Sequence, residues 1–507
     1  MTKKLFLISL LLLGFEAESQ ISFNFSSYDA YSLDDRAVPL DLIDQNDEGF
    51  IFLFGGGRFG YKGKTLRKFD KNLQPNGQKT NLISEENPNN ARTVGIVSIK
   101  NELVHISYED TPESRKFYRQ LIYKENMQLG EKRFISEIID DEKSYKNAFS
   151  YFLNYDSSKF ALIHSVPNKK KDFQKLKNIQ FDSEFNETGV EEYEFEYLNK
   201  QLEFQYLTFL SKDSILVVGK HFNDFYQTGI LTKDYEYKIF ILTNGLVNEV
   251  AGFSQNLEHI RGIQFKLLGN KLISTGFYSS KNIYAAKGIY FNRIDLKTGI
   301  IEIDTTQDFD QTFLIKTVSP NQVKGILRKF EKGTYEAPYF LLNEVIINND
   351  STFTLLGEQL YTVTTYGATT FFYLDLAAIK VDYNGSIVWN TRIARNSERA
   401  NVGYYSDHFI TKRGDDLVLY LNDSEANLKY ISGKPSKTFK NSDIMLSAMV
   451  IKPSGAFTRN KIASQSEMSP ILIRPGLTIP TKENSLVFFG QIPSNVKNQR
   501  FFKVDIE

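Results

Sequence analysis

The chain has 507 residues, 61 lysines and arginines against 61 aspartates and glutamates, and no cysteine. Without a thiol there is no disulfide framework, thiolate metal site, iron–sulfur cluster or cysteine nucleophile. A net charge of zero argues against nucleic acid as the main partner, because phosphate binding needs a basic surplus or stripe.

The first predicted element is a secretory signal peptide. Lys3 and Lys4 form its charged end, Leu5 to Phe15 its apolar stretch, and Ala17 and Ser19 are the small residues before a cleavage site. Cleavage before Gln20 puts the mature chain outside the cytoplasm. The apolar stretch is too short for a bilayer-crossing helix, and no later segment approaches the length of one. After it, Ile21, Phe23 and Phe25 alternate with polar residues at the period of a strand.

Short apolar runs then recur. They start near Ile51, Leu103, Phe160, Ile215, Leu272, Phe353, Leu417 and Leu486, at spacings of 52, 57, 55, 57, 81, 64 and 69 residues. Five of them place glycine at the fifth position: Gly55, Gly219, Gly276, Gly357 and Gly490. Glycine inside a strand is costly unless another backbone must approach closely there, so one shared offset points to one shared packing position. A second signal follows each run: an apolar residue, then Asp or another polar residue, then a turn, as at Phe69-Asp70, Phe181-Asp182, Ile294-Asp295, Val381-Asp382 and Ile451-Lys452. It reads as the hairpin joining the third and fourth strands of a unit. Four short strands repeated in this way predict an all-β fold, a β-propeller of seven or eight four-stranded blades.

The last unit runs out at Phe502 to Asp505, one strand short. The strand at Ile21 to Phe25 is predicted to complete it and close the ring, hiding both edges. The chain from 20 to 507 is thus one propeller domain, expected as a monomer, with rim insertions near 305–350, 359–379 and 424–443. The second of these holds Tyr361, Tyr366, Phe371, Phe372 and Tyr373. Exposed aromatics anchor interfaces, so these five are the candidate partner-binding residues. The competing assignment is that they are simply the second and third strands of their blade.

Other motifs carry less. In Gly55 to Thr65 the glycine that a phosphate-binding loop needs is replaced by Arg58, and no amphipathic helix follows. Lys169 to Lys171 and the acidic run Glu191, Glu192, Glu194 and Glu196 balance each other as a solvated hairpin. His105, His164 and His221 fall at the third, fifth and seventh offsets of their runs and form no ring; with His259 and His408 they read as isolated, partly buried side chains. Asp304, Asp308 and Asp310 miss the spacing of a calcium loop. No serine elbow is present. No catalytic residue, metal or cofactor is assigned.

The stretch Phe353-Thr-Leu-Leu-Gly-Glu-Gln to Ala378-Ile-Lys-Val-Asp-Tyr-Asn-Gly-Ser-Ile-Val-Trp389, with the Lys/Asn/Ile/Phe/Tyr bias, resembles uncharacterised extracytoplasmic propeller-like proteins of Bacteroidota. The resemblance is clearest over residues 350–410. It implies a periplasmic location, with secretion as second choice. By analogy with a plug subunit of the type 9 secretion translocon, it implies a non-enzymatic scaffold that binds an outer-membrane or secretion complex. A carbohydrate-binding or carbohydrate-active propeller is the alternative.

Overall fold

A computed structural model describes residues 21–506 except 33–36, 57–61, 83–90, 100–101, 112–113, 140–150, 156–158, 167–172, 185, 200, 212, 223–234, 255–258, 282–283, 366–367, 401–403, 431–434, 440–442 and 483. The predicted signal peptide, the Lys169 triplet and Tyr366 lie outside the described residues.

Each of the eight apolar runs is the second strand of a four-stranded antiparallel sheet, and the sheets follow one another as eight blades. Blade 1 is built from Val38–Asn46, Gly49–Gly56, Lys62–Phe69 and Pro75–Asn81. Blade 6 is built from Leu341–Ile347, Phe353–Thr365, Ala368–Val381 and Ile387–Ile393, and blade 7 from His408–Arg413, Asp416–Ser424, Ile444–Ile451 and Phe457–Ser464. The second strands read as unbroken apolar runs because both of their faces are covered. In blade 1, Ile51 and Leu53 pack towards blade 2 while Phe52 and Phe54 pack towards blade 8. Among the described residues, eight large apolar clusters form, one at every blade–blade junction including blade 8 against blade 1.

Ring closure comes from the strand Phe23–Ser27. It pairs antiparallel with Asn495–Ile506 as the outer strand of blade 8, Phe23 opposite Ile506 and Ser27 opposite Phe502. Phe25 stacks on Phe502 at 5.4 Å, and Phe23 meets Tyr420 of blade 7 edge-on at 6.2 Å.

The recurrent glycine has a physical reason. The first strand of the blade bulges opposite it, as where Phe204 pairs with Gly219 and Tyr206 with Val218, or Leu342 with Gly357 and Glu344 with Leu356. A bulge leans inward there. What fills the space is mostly a side chain and less often the backbone expected. A Cβ on Gly219 would stand 2.5 Å from Leu202, on Gly357 2.5 Å from Phe277, and on Gly490 2.4 Å from Ile471.

An alternating up-and-down chain sorts its connections onto two faces. First-to-second and third-to-outer turns share one face, here the hairpin face. Second-to-third loops and blade-to-blade crossings share the other, the loop face. All three long insertions emerge on the loop face, in blades 5 to 7. One, between blades 5 and 6, holds α1 (Gln311–Ile315), capped by Asp310, and α2 (Pro320–Glu331), with Ser319 at the N-cap and proline at the first position.

Candidate functional site

The middle strands of blade 6 run for 13 and 14 residues, against eight to ten in most other blades. From Leu360 to Thr365 the hairpin continues past its sheet by about 20 Å. It carries the candidate aromatics and is therefore at once the second and third strands of its blade and a projection beyond it. Tyr361 and Val363 are 48% and 45% exposed. Tyr361 lies opposite Phe372 and the rings stack at 4.7 Å, 10° from parallel. Phe371, Phe372 and Tyr373 are half-buried. The short strand Ser397–Ala400 pairs with Thr370–Tyr373 and braces that edge.

The hairpin leaves its blade at a register shift: Glu358 pairs with Leu376, but Leu360 with Tyr373. The shift turns Glu358 and Asp375 into the interior, where a charged cluster forms between blades 6 and 7 and against α1. Arg395, 1% exposed, donates to Glu358 and to the Ser406 carbonyl, and its guanidinium lies 5.6 Å from the Tyr373 ring centroid. Arg392 donates to Asp375 at 2.7 Å and to the Leu314 carbonyl of α1 at 3.2 Å, and Thr317 also donates to Asp375. From blade 7, Arg459 pairs with Asp423 at 3.1 Å and donates to the Ala394 carbonyl at 2.8 Å. Asn427 holds the other Asp423 oxygen at 2.7 Å.

Burial sets the protonation of this cluster. It pushes the Glu358 carboxyl up to about 8, helped by Asp407 and opposed by Arg395. Asp407 and Asp423 are raised for the same reason. His408, 3.7 Å from Glu358, is held down to about 3 by burial and then by Arg395, so it is neutral. A deeply buried acid with a raised pKa is a feature of general-acid sites. Here, however, Glu358 is 1% exposed, and the void beside His408 is too small for a substrate. The cluster instead fixes the root of the hairpin to blade 7 and to α1.

Next to it, α2 turns Val323, Ile326, Leu327 and Phe330 towards the blades and leaves Lys324, Arg328, Lys329 and Lys332 exposed. Among the described residues these four cations join no ion pair. Sequence reasoning found the aromatic hairpin but not the ionic root. One signal was present: Glu358 follows an anchor glycine directly, in the buried half of its strand.

The histidines are dispersed. His105 and His164 are buried in blades 2 and 3, more completely than expected, and burial lowers them to about 3 and about 4. His221 lies 3.3 Å from Glu236 at the end of its strand. Asp310 serves as a helix cap and Asp308 accepts from Tyr278. Among the described residues, no three His, Asp or Glu side chains converge as a metal site.

No protein-family model and no curated protein matches the chain. Solved structures similar to it include a prolyl endopeptidase (7% identity, TM-score 0.37), of which the match covers 92% of this chain and 55% of the other. An oligogalacturonate lyase in complex with manganese is 10% identical with a TM-score of 0.37, covering 79% of this chain and 94% of that one. The GH93 α-L-arabinofuranosidase of Fusarium graminearum is 10% identical with a TM-score of 0.30, covering 68% and 89%. The chain spans about half the length of the prolyl endopeptidase it matches. The fold itself, an eight-bladed β-propeller, is read from the strand order of the sheets.

Proposed function

We propose that this protein is a non-enzymatic binding propeller which, as a periplasmic protein released from its signal peptide before Gln20, docks onto an outer-membrane protein complex such as a secretion translocon. One observation carries the reading: the blade-6 hairpin projects an exposed tyrosine, Tyr361, stacked on Phe372, from a root fixed by buried charged groups. A projection rigid at its base loses little conformational entropy on binding. Its exposed tyrosine is of the residue type that dominates interface energetics. The unpaired cations of α2 on the same face favour an acidic partner surface and a fast, salt-sensitive encounter.

The test is capture from detergent-solubilised envelope with a photo-crosslinking residue at Val363. The expected result is one crosslinked envelope protein, lost when Tyr361 and Phe372 are both changed to serine. Equal crosslinking by that double variant, or none by either protein, would overturn the reading.

A further inference from the structure

On the hairpin face, opposite the projecting hairpin, a cleft of about 310 Å³ opens between blades 6 and 7. Its mouth is made by the first-to-second turns of both blades, through Asn348, Asn349 and Asp415, and its wall by Trp389 of the outer strand of blade 6. Trp389 is the only tryptophan in the chain. Its orientation is fixed twice. The indole N–H donates to the Pro453 carbonyl at 2.7 Å, and Gly455, at φ 82°, covers one ring face. A Cβ on Gly455 would stand 2.7–2.9 Å from Cδ2, Cε3 and Cγ alike, which places it over the plane of the ring. An indole half-buried, backed on one face and held by its nitrogen is a preformed platform.

The polar groups around it are also held in place. Asn349 donates to Asp415 at 2.9 Å and accepts from Lys412 at 2.9 Å. Lys380, the cross-strand neighbour of Trp389, pairs with Asp350 at 2.8 Å. Lys452 pairs with Asp416 at 3.0 Å. Both lysines are neutralised, so the cleft offers no surplus cation to a phosphate. It presents one aromatic ring and a ring of fixed amide, carboxylate and ammonium groups, donors and acceptors mixed. Its volume is at the small end for a ligand pocket. A molecule with apolar C–H faces and a rim of hydroxyls satisfies all of these features.

We infer that this cleft is a binding site for a neutral saccharide, with Trp389 as the stacking platform and Asn349 and Asp415 as hydroxyl partners. It is independent of the docking surface, which lies on the other face.

A single tryptophan in the wall makes the test direct, because intrinsic emission reports this cleft alone. The purified mature chain is titrated with maltotriose, xylotriose, chitotriose and a galacturonate trimer. The expected result is a saturable change in Trp389 emission with at least one neutral trimer. In Asn349→Ala/Asp415→Ala, whose changes lie on exposed turns and leave the core intact, binding should weaken about tenfold. No saturable change with any neutral trimer would overturn the inference, as would a change that persists at full affinity in the double variant. A stronger response to the galacturonate trimer than to every neutral one would overturn the assignment of a neutral ligand. Calorimetry on Trp389→Phe, with circular dichroism to verify folding, repeats the measurement without the fluorophore and should show the same loss.

Discussion

On the hairpin face, three third-to-outer turns are seated on the preceding blade. Gly299, Gly385 and Gly455, all at positive φ in third-to-outer hairpins, press respectively against Val250, against Phe291 and Thr305, and against Trp389, each in the preceding blade. On the loop face, the chain between second and third strands, or between blades, adds helices, a braced hairpin and a capped loop without disturbing any sheet. The difference follows from what each connection touches. A turn seated on a neighbouring strand sets the spacing of two blades and tolerates one residue only. A loop leaving the disc answers to solvent and partners, which is where function accumulates.

Removing the closing strand tests the ring on which both faces depend, and has the largest expected effect. Ile21, Phe23 and Phe25 are half-buried against blades 7 and 8. Deleting residues 20–27 should cost about 3–6 kcal/mol, a large part of a typical stability of about 5–15 kcal/mol. Aggregation through the exposed strand should follow, read by size-exclusion chromatography and thermal melting. A monomer melting at the wild-type temperature would show that Phe23–Ser27 does not hold the ring.

Within the closed ring, the seat of a hairpin-face glycine should be costly to fill. Gly455→Val places a Cβ against the Trp389 ring at a φ of 82° and should lose about 1–3 kcal/mol in chemical denaturation. Gly385→Val, facing Phe291, should lose a similar amount. On the loop face, Tyr361→Ser should change stability by less than about 0.5 kcal/mol, since its side chain is half in solvent and supports no core. If the glycine variants were as benign as the tyrosine one, the contrast between the faces would fail.

Titration separates the buried histidines from the buried acids. The lowered histidines in blades 2, 3 and 7 bind fewer protons folded than unfolded, so their contribution is lost as pH falls below about 6.5 towards 3–4. Glu358 has the opposite sign. Raised to about 8, it binds more protons folded, and its contribution is lost as pH rises from about 4.5 through 8, with Asp407 and Asp423 acting the same way from a lower start. The melting temperature should therefore peak near pH 6. Glu358→Gln should flatten the alkaline side while leaving the acid side to the histidines. An unchanged alkaline side would mean that Glu358 does not titrate there.

The second strands were legible because burial on both faces writes an unbroken apolar run, as in Ile51 to Phe54. The third-to-outer turns of blades 5 to 7 were legible because glycine takes the positive φ there, at Gly299, Gly385 and Gly455. The closing strand showed in the period-two alternation of Ile21, Phe23 and Phe25. First strands were not legible: Leu202–Ser211 is half-exposed and bulged at Phe204, which erases its period. The ionic root of the hairpin was hidden for another reason. Glu358, Asp375, Arg395, Asp423 and Arg459 come from five segments, and nothing in a linear order tells a paired buried charge from a solvated one.

The pairing of Phe23 with Ile506 also sets a schedule for folding. Almost the whole chain separates these partners, so the last gap in the ring is sealed by the contact of greatest sequence separation in the fold. Such contacts come late, because the loop they close must be ordered first. A ribosome releases the amino-terminal strand first and its partner last. Blades 1 to 7 can stack as an open arc in the meantime, while that strand waits unpaired and the arc keeps a bare edge. Until Asn495–Ile506 has been made, the ring stays unsealed.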